Sequence, residues 1–288
     1  MPGAWFTRTL GGCDRRELAA LATHPRPLPL QGGEFLGEAR TMTNAILLTV
    51  MLAIVALNVV AGPRGYRLLA EAGEVGRKAF YRRMLTAQVI QFTLPPIVGL
   101  LLLGRIGAVT ELPPELWSAS TMLRGDAPAV PIDPLLTPMF GFAVLAAIPL
   151  GSLLTWRRWR NGKGAPAYLA RLSALLPRDR DEVLLGAAIS VAAGIGEELF
   201  FRLLLPMLLA AFIGATPAVV AAILLFGLAH AYQGWKGIAV TSLVGILFTA
   251  MYLMSGSLAI AMLFHATIDL MTLAIRPAIR GAWRQAAA

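Results

Sequence analysis

Seven apolar runs, each close to the length needed to cross a lipid bilayer, dominate this 288-residue chain. They fall at Ala45–Ala61, Met84–Leu103, Leu135–Leu154, Val183–Phe201, Pro217–Ala231, Ile238–Met254 and Leu258–Ile275. At about 1.5 Å of rise per residue, most such helices approach the roughly 30 Å hydrocarbon core. Leu203–Ala215 is apolar too, but short and interrupted by Pro206. It reads as an extension of the fourth helix, a re-entrant turn or an eighth span. Only 14% of the residues are charged, against about 25% in a soluble domain, and mean hydropathy is +0.68. That excludes an ordinary water-soluble fold and a disordered chain. The expected fold is all-α, a polytopic membrane helix bundle of about seven to eight transmembrane helices.

The net charge of +9 reports topology rather than nucleic-acid binding, because the basic residues lie between the apolar runs. The first connection carries Arg64, Arg67, Arg77, Lys78, Arg82 and Arg83. The third carries Arg157, Arg158, Arg160, Lys163, Arg171, Arg178 and Arg180. The second has only Arg105 and Arg124, against Glu111, Glu115, Asp126 and Asp133. The first and third connections are therefore expected in the cytoplasm. Alternation puts Lys236 and the tail residues Arg276, Arg280 and Arg284 there as well. Residues 1–41 would lie outside, yet they carry five arginines beside Cys13 and His24. Rich in Gly, Pro and mixed charge, and without a secretory apolar core, they read as a loosely ordered tail. Met42, directly before the first span, is an alternative start. The expected division is this tail, an N-terminal transmembrane region 42–180, a C-terminal bundle 181–275 and a basic tail 276–288. The single cysteine excludes an intramolecular disulfide and a cysteine-built metal site.

With every loop and tail charge removed, the apolar runs retain Arg202, Glu197, Glu198 and Asp269, with His230 and His265. All belong to the C-terminal half. Charged groups at that depth cost about 2.5–3.5 kcal/mol each on insertion scales and mark function by default. Glu198 and Arg202 are four residues apart, so they can pair on one helix face. Glu197 points about 100° away and is free to face another helix. Both acids could merely clamp Arg202, but a clamp needs one carboxylate. His230 ends Phe226-Gly227-Leu228-Ala229-His230 near the close of the fifth run, and alone it reads as a packing residue. His265 and Asp269 share a face at i, i+4 and alone read as a pair joining two helices. Three acids and two histidines at membrane depth, within some seventy residues, point instead to one chemical site. Small-residue stripes at Ala188, Ala192 and Gly196, and at Gly237, Thr241, Gly245 and Thr249, indicate close helix packing and no chemistry.

Glu-Glu-x-x-x-Arg, then Phe-x-x-x-His, then His-x-x-x-Asp resembles the CPBP family of intramembrane glutamic endopeptidases, also called the CAAX-protease and bacteriocin-processing (ABI) family. The resemblance covers about Asp181 to Ile275; the first half of the chain shows only membrane topology. It implies a peptide hydrolase whose water is held within the bilayer, with Glu197 as the activating base and His230 as its partner. It assigns His265 and Asp269 to the oxyanion, the last position more often being asparagine in the family. Glu198 and Arg202 are implied as the structural brace. It implies no cofactor and no metal, and as partners a membrane-associated peptide or protein substrate and the lipid bilayer, with no nucleic acid. Burial raises a carboxyl pKa and a nearby histidine or arginine lowers it, so the residues themselves allow Glu197 to act near neutral pH. No serine or cysteine nucleophile is needed.

Rival readings draw on the same residues. Glu and two His are good zinc ligands, giving a zinc-dependent intramembrane metalloprotease, though a His-Glu-x-x-His helix is absent. Intramembrane Glu and His also gather in transporters and proton relays, which lack support here for want of inverted repeats. A non-catalytic immunity or scaffold protein would keep the motifs for packing alone. The Ala-, Gly- and Arg-rich composition suggests a GC-rich bacterial genome and hence a multi-pass protein of the bacterial cell (inner) membrane. There, cleavage of membrane-associated peptides fits better than processing of prenylated proteins.

Overall fold

The computed structural model describes residues 31–125, 157, 161, 172–279 and 281–284, and among these there is helix and turn but no strand. Contacts separate Met1–Met42 from a unit formed by Thr43–Ala288. Helix α1 spans Gln31–Glu71. Residues 31–41, read from composition as tail, are thus helical, and no proline interrupts the chain between Pro29 and Pro63. Next come α2 (Glu74–Leu102) and a short α3 (Trp117–Arg124), then α4 (Arg180–Ile213) and α5 (Ala215–Ala229). The chain closes with α6 (Gly234–Ser255) and α7 (Leu258–Ile279). Among the described residues five helices are long and apolar enough to cross a membrane, and α5 is a shorter apolar one. Six of the seven expected runs are therefore helices; the third, Leu135–Leu154, lies outside the described residues, as do Cys13, Arg158, Arg160, Lys163 and Arg171. The protein is an all-α, multi-pass integral membrane protein.

α4 organises the bundle and is the most deeply buried of the long helices. It starts where Asp179 caps it, the carboxylate accepting the Glu182 N–H at 2.9 Å. Glu182 reaches back to accept the Arg178 N–H at 2.9 Å, a variant of the reciprocal capping box. The uncertain Leu203–Ala215 stretch proves to extend this helix to Ile213, where Gly214 turns the chain at φ +80°. Pro206 is accommodated because Leu199–Leu204 form a π turn. That wider turn loosens the ladder where the proline ring would otherwise meet the Arg202 carbonyl.

Lipid supplies no hydrophobic force between helices, so close van der Waals packing must hold them. On α4 the tight face toward α7 is Gly186, Ser190 and Gly194; of the expected Ala188, Ala192 and Gly196, Ala188 is exposed, whereas Gly196 packs against Phe92 and Thr93 of α2. A β-carbon on Gly194 would lie 2.6 Å from the Ala266 backbone nitrogen, and one on Gly186 would lie 2.5 Å from the Leu273 carbonyl oxygen. Both contacts are with α7. The expected stripe on α6 is buried throughout, and Gly245 packs against Phe226 of α5.

Contacts at the helix ends follow the alternation expected from loop charge. At one end Arg77 and Glu182 form a buried ion pair at 3.0 Å, tying the first connection to the start of α4. Tyr66 lies 6.2 Å from Tyr232, before α6, and Arg180 stacks on Trp283 of the tail at 5.0 Å. At the other end the Ser120 hydroxyl donates to the Leu253 carbonyl at 2.8 Å, and Arg105 grips Glu115 at 2.6 Å. That pairing raises the Arg105 pKa further. The basic connections share one end and the acidic connection takes the other.

Candidate active site

Glu197 and Glu198 occupy adjacent positions on α4, immediately before its π turn. Helical rotation sends them to different neighbours, as their spacing predicted. The Glu197 carboxyl is anchored on one side: Oε1 accepts a 2.7 Å hydrogen bond from the Gln88 side-chain amide of α2. Its other oxygen, Oε2, is buried with no hydrogen-bond partner among the described residues. That oxygen lies 3.9 Å from His230 Nε2 and 3.9 Å from His265 Nε2. Both separations exceed a hydrogen bond and match the span of one bridging water.

His230 follows the last residue of α5, where its Nδ1 lies 2.9 Å from the Phe226 carbonyl. A carbonyl only accepts, so Nδ1 carries the hydrogen and Nε2 of the neutral ring offers its lone pair toward Glu197. His265 on α7 is fixed differently: Nδ1 meets Glu198 Oε1 at 2.7 Å, and the ring stacks on Phe248 at 5.0 Å. Its Nε2 faces Asp269 Oδ2 at 3.6 Å, beyond hydrogen-bond length. Glu198 is thus the hydrogen-bonded partner of His265, and Asp269, one turn along the same helix, stands at ion-pair distance. The i, i+4 spacing pointed to Asp269, but the close approach of α4 and α7 across Gly194 brings Glu198 nearer.

The expected Glu198–Arg202 pair is present at 3.1 Å, and both residues are fully buried. The guanidinium also lies 4.0 Å above the Phe226 ring, a cation–π contact in a desolvated setting. Glu198 Oε1 therefore serves two partners, Arg202 and His265. Depth varies across the cluster: Glu198 and Arg202 are sealed, whereas the side chains of His230 and Asp269 are 17% and 31% exposed. The site is open on the His230–Asp269 side.

All six residues singled out from the sequence thus meet in one cluster. The residue missed is Gln88, because only ionisable groups were sought within the apolar runs and the first half was read for topology alone. A glutamine amid the second run was the available signal. Among the described residues, no three His, Cys, Asp or Glu side chains converge as a metal would require.

Within the helical membrane bundle Glu, His and Arg are buried together, and two carboxylate oxygens, Glu197 Oε2 and Glu198 Oε2, have no hydrogen-bond partner among the described residues. Comparison supplies the family: residues 179–271 match the Rce1-like family, described as type II CAAX prenyl endopeptidase Rce1-like. The matched segment is the one whose motifs resemble that family. No curated protein and no solved structure matches the chain.

Proposed function

We propose that this protein is an intramembrane endopeptidase in which Glu197 and the two histidines activate a water against a peptide carbonyl. The observation that carries the reading is the placement of Glu197 Oε2, equidistant from both Nε2 atoms at 3.9 Å. A water there donates one hydrogen to Glu197 and the other to the lone pair of His230. Its own lone pair is left for the carbonyl carbon. As the carbon–oxygen bond forms, Glu197 takes the water proton, and it later delivers that proton to the departing amide nitrogen. The products are an amine and a carboxylic acid, which releases the second water proton to solvent and leaves as the carboxylate. His265, carrying its second proton between Glu198 and Asp269, presents Nε2–H to the developing oxyanion. An anionic Asp269 would repel that oxyanion directly, so it acts through His265. The substrate is a membrane-associated peptide or protein, and the composition favours a bacterial cell membrane.

The test is hydrolysis of a membrane-peptide library by purified protein in detergent, beside Glu197→Gln. Cleavage by the wild type, and a loss of at least about 10³-fold in the variant, supports the assignment. Prolonged chelation should leave the rate intact. Loss on chelation with recovery on adding zinc would put a zinc-dependent metalloprotease in its place.

A further inference from the structure

Among the described residues of the N-terminal half, Gln88 touches the site, and it lies outside the matched segment. We propose that Gln88 is a positioning residue for catalysis, fixing which oxygen of Glu197 exchanges protons. The inference rests on the reading of Glu197 as base.

The Gln88 amide donates to Glu197 Oε1 at 2.7 Å, and both side chains are buried. An oxygen that accepts an N–H along that line cannot also hold the acid proton pointing the same way. When Glu197 is protonated, the tether on Oε1 therefore favours the hydrogen on Oε2, the oxygen that faces His230 and His265. One oxygen is kept as an anchor, and the other carries all proton traffic. Without the anchor the carboxyl turns about its terminal torsion, which is broad and nearly two-fold, and Oε2 loses its fixed distance to both rings.

The anchor is itself held at two levels. Three turns before Gln88, Arg77 of α2 pairs with Glu182 of α4 at 3.0 Å and donates to the carbonyls of Ala174 and Leu176. One turn beyond Gln88, the backbone of Phe92 and Thr93 lies against Gly196, where an added β-carbon would sit 3.2 Å from each. Gly196 precedes Glu197 in the chain. The helix carrying the amide and the helix carrying the carboxyl are thus in closest contact beside the hydrogen bond.

Replacing Gln88 by Leu or by Asn tests the inference, since Leu cannot donate and Asn is one methylene too short to reach. The variants are compared with wild type and Glu197→Gln in thermal denaturation, peptide hydrolysis and infrared difference spectra. The carboxyl band that vanishes in Glu197→Gln identifies Glu197. In Gln88→Leu and Gln88→Asn that band should move, and kcat should fall about 10- to 100-fold with KM little changed. A purely structural clamp would lower thermal stability without that band shift or that split between kcat and KM. An unmoved band and unchanged kcat, with Glu197→Gln inactive, would overturn the role of Gln88 and leave the base standing. Hydrolysis surviving in Glu197→Gln would overturn the base, and the role of Gln88 with it.

Discussion

Two carboxylates one residue apart divide their work through the helix screw, but not in the way motif spacing alone suggests. Glu197 has one oxygen tethered and one free, whereas Glu198 Oε1 is shared by Arg202 at 3.1 Å and His265 at 2.7 Å. Glu197→Gln is isosteric and keeps an acceptor for Gln88, so it should abolish hydrolysis with an unchanged melting temperature. Glu198→Gln leaves Arg202 buried without a counter-charge, at a cost of about 3–5 kcal/mol. The same change loosens His265, so kcat should fall alongside stability. Detergent melting curves and single-turnover rates for the two variants check this; equal losses of activity with no change in melting would refute it. The ionisable members were legible because a charge inside an apolar run is costly enough to demand a reason. Gln88 carries no charge and raised no such demand. Asp269 lies 3.6 Å from His265, as the i, i+4 spacing indicates, whereas the 2.7 Å bond to Glu198 depends on the distance between two helices, which a sequence does not show.

Helix identity and order could be read from hydropathy, but the features that aim the side chains could not. Four helices place residues in the site, counting α5 with His230 at its end, and in three of them a π turn follows: Val89–Thr93 after Gln88, Leu199–Leu204 after Glu198, and Met271–Ile275 after Asp269. Such turns have no reliable sequence signature and recur at functional sites. The face of α4 that meets α7 lies outside the expected stripe, whose Gly196 packs against α2 instead, because several small residues compete and only contact with α7 selects Gly186 and Gly194. Gly194 is the sharper test, since its partner Ala266 adjoins His265. Gly194→Ala would press a methyl group against backbone that cannot swing away, which costs about 1–3 kcal/mol. The shift of α7 carries His265 from Glu198, so hydrolysis should drop along with the melting temperature. Gly107→Ala, with nothing within 4 Å of the added carbon, should change neither. Melting and kcat measured for both substitutions decide the point, and a silent Gly194→Ala would show that α4 and α7 adjust freely.

For the molecule as a whole, the charge pattern and the packing of helix ends agree independently on which connections share a side. Thirteen basic residues in the first and third connections face two in the second. The ion pair of Arg77 with Glu182 binds the first connection to the end of the third, while Ser120 of the second is bonded to the far end of α6. From the positive-inside bias we propose that the basic end lies in the cytoplasm. His230 ends α5 two residues before Tyr232, whose ring packs near Tyr66 of the first connection, so the open side of the site lies toward that same end. A substrate would accordingly be met from the cytoplasmic half of the bilayer. Single cysteines placed in a Cys13→Ser background test this orientation. Ser118, in the second connection, and Val75, in the first, are both exposed, so a thiol reagent reaches either wherever it has access. In intact cells an impermeant maleimide should modify Ser118→Cys and spare Val75→Cys, which should label only after lysis. The opposite pattern would invert the protein in the membrane and turn its open site toward the exterior.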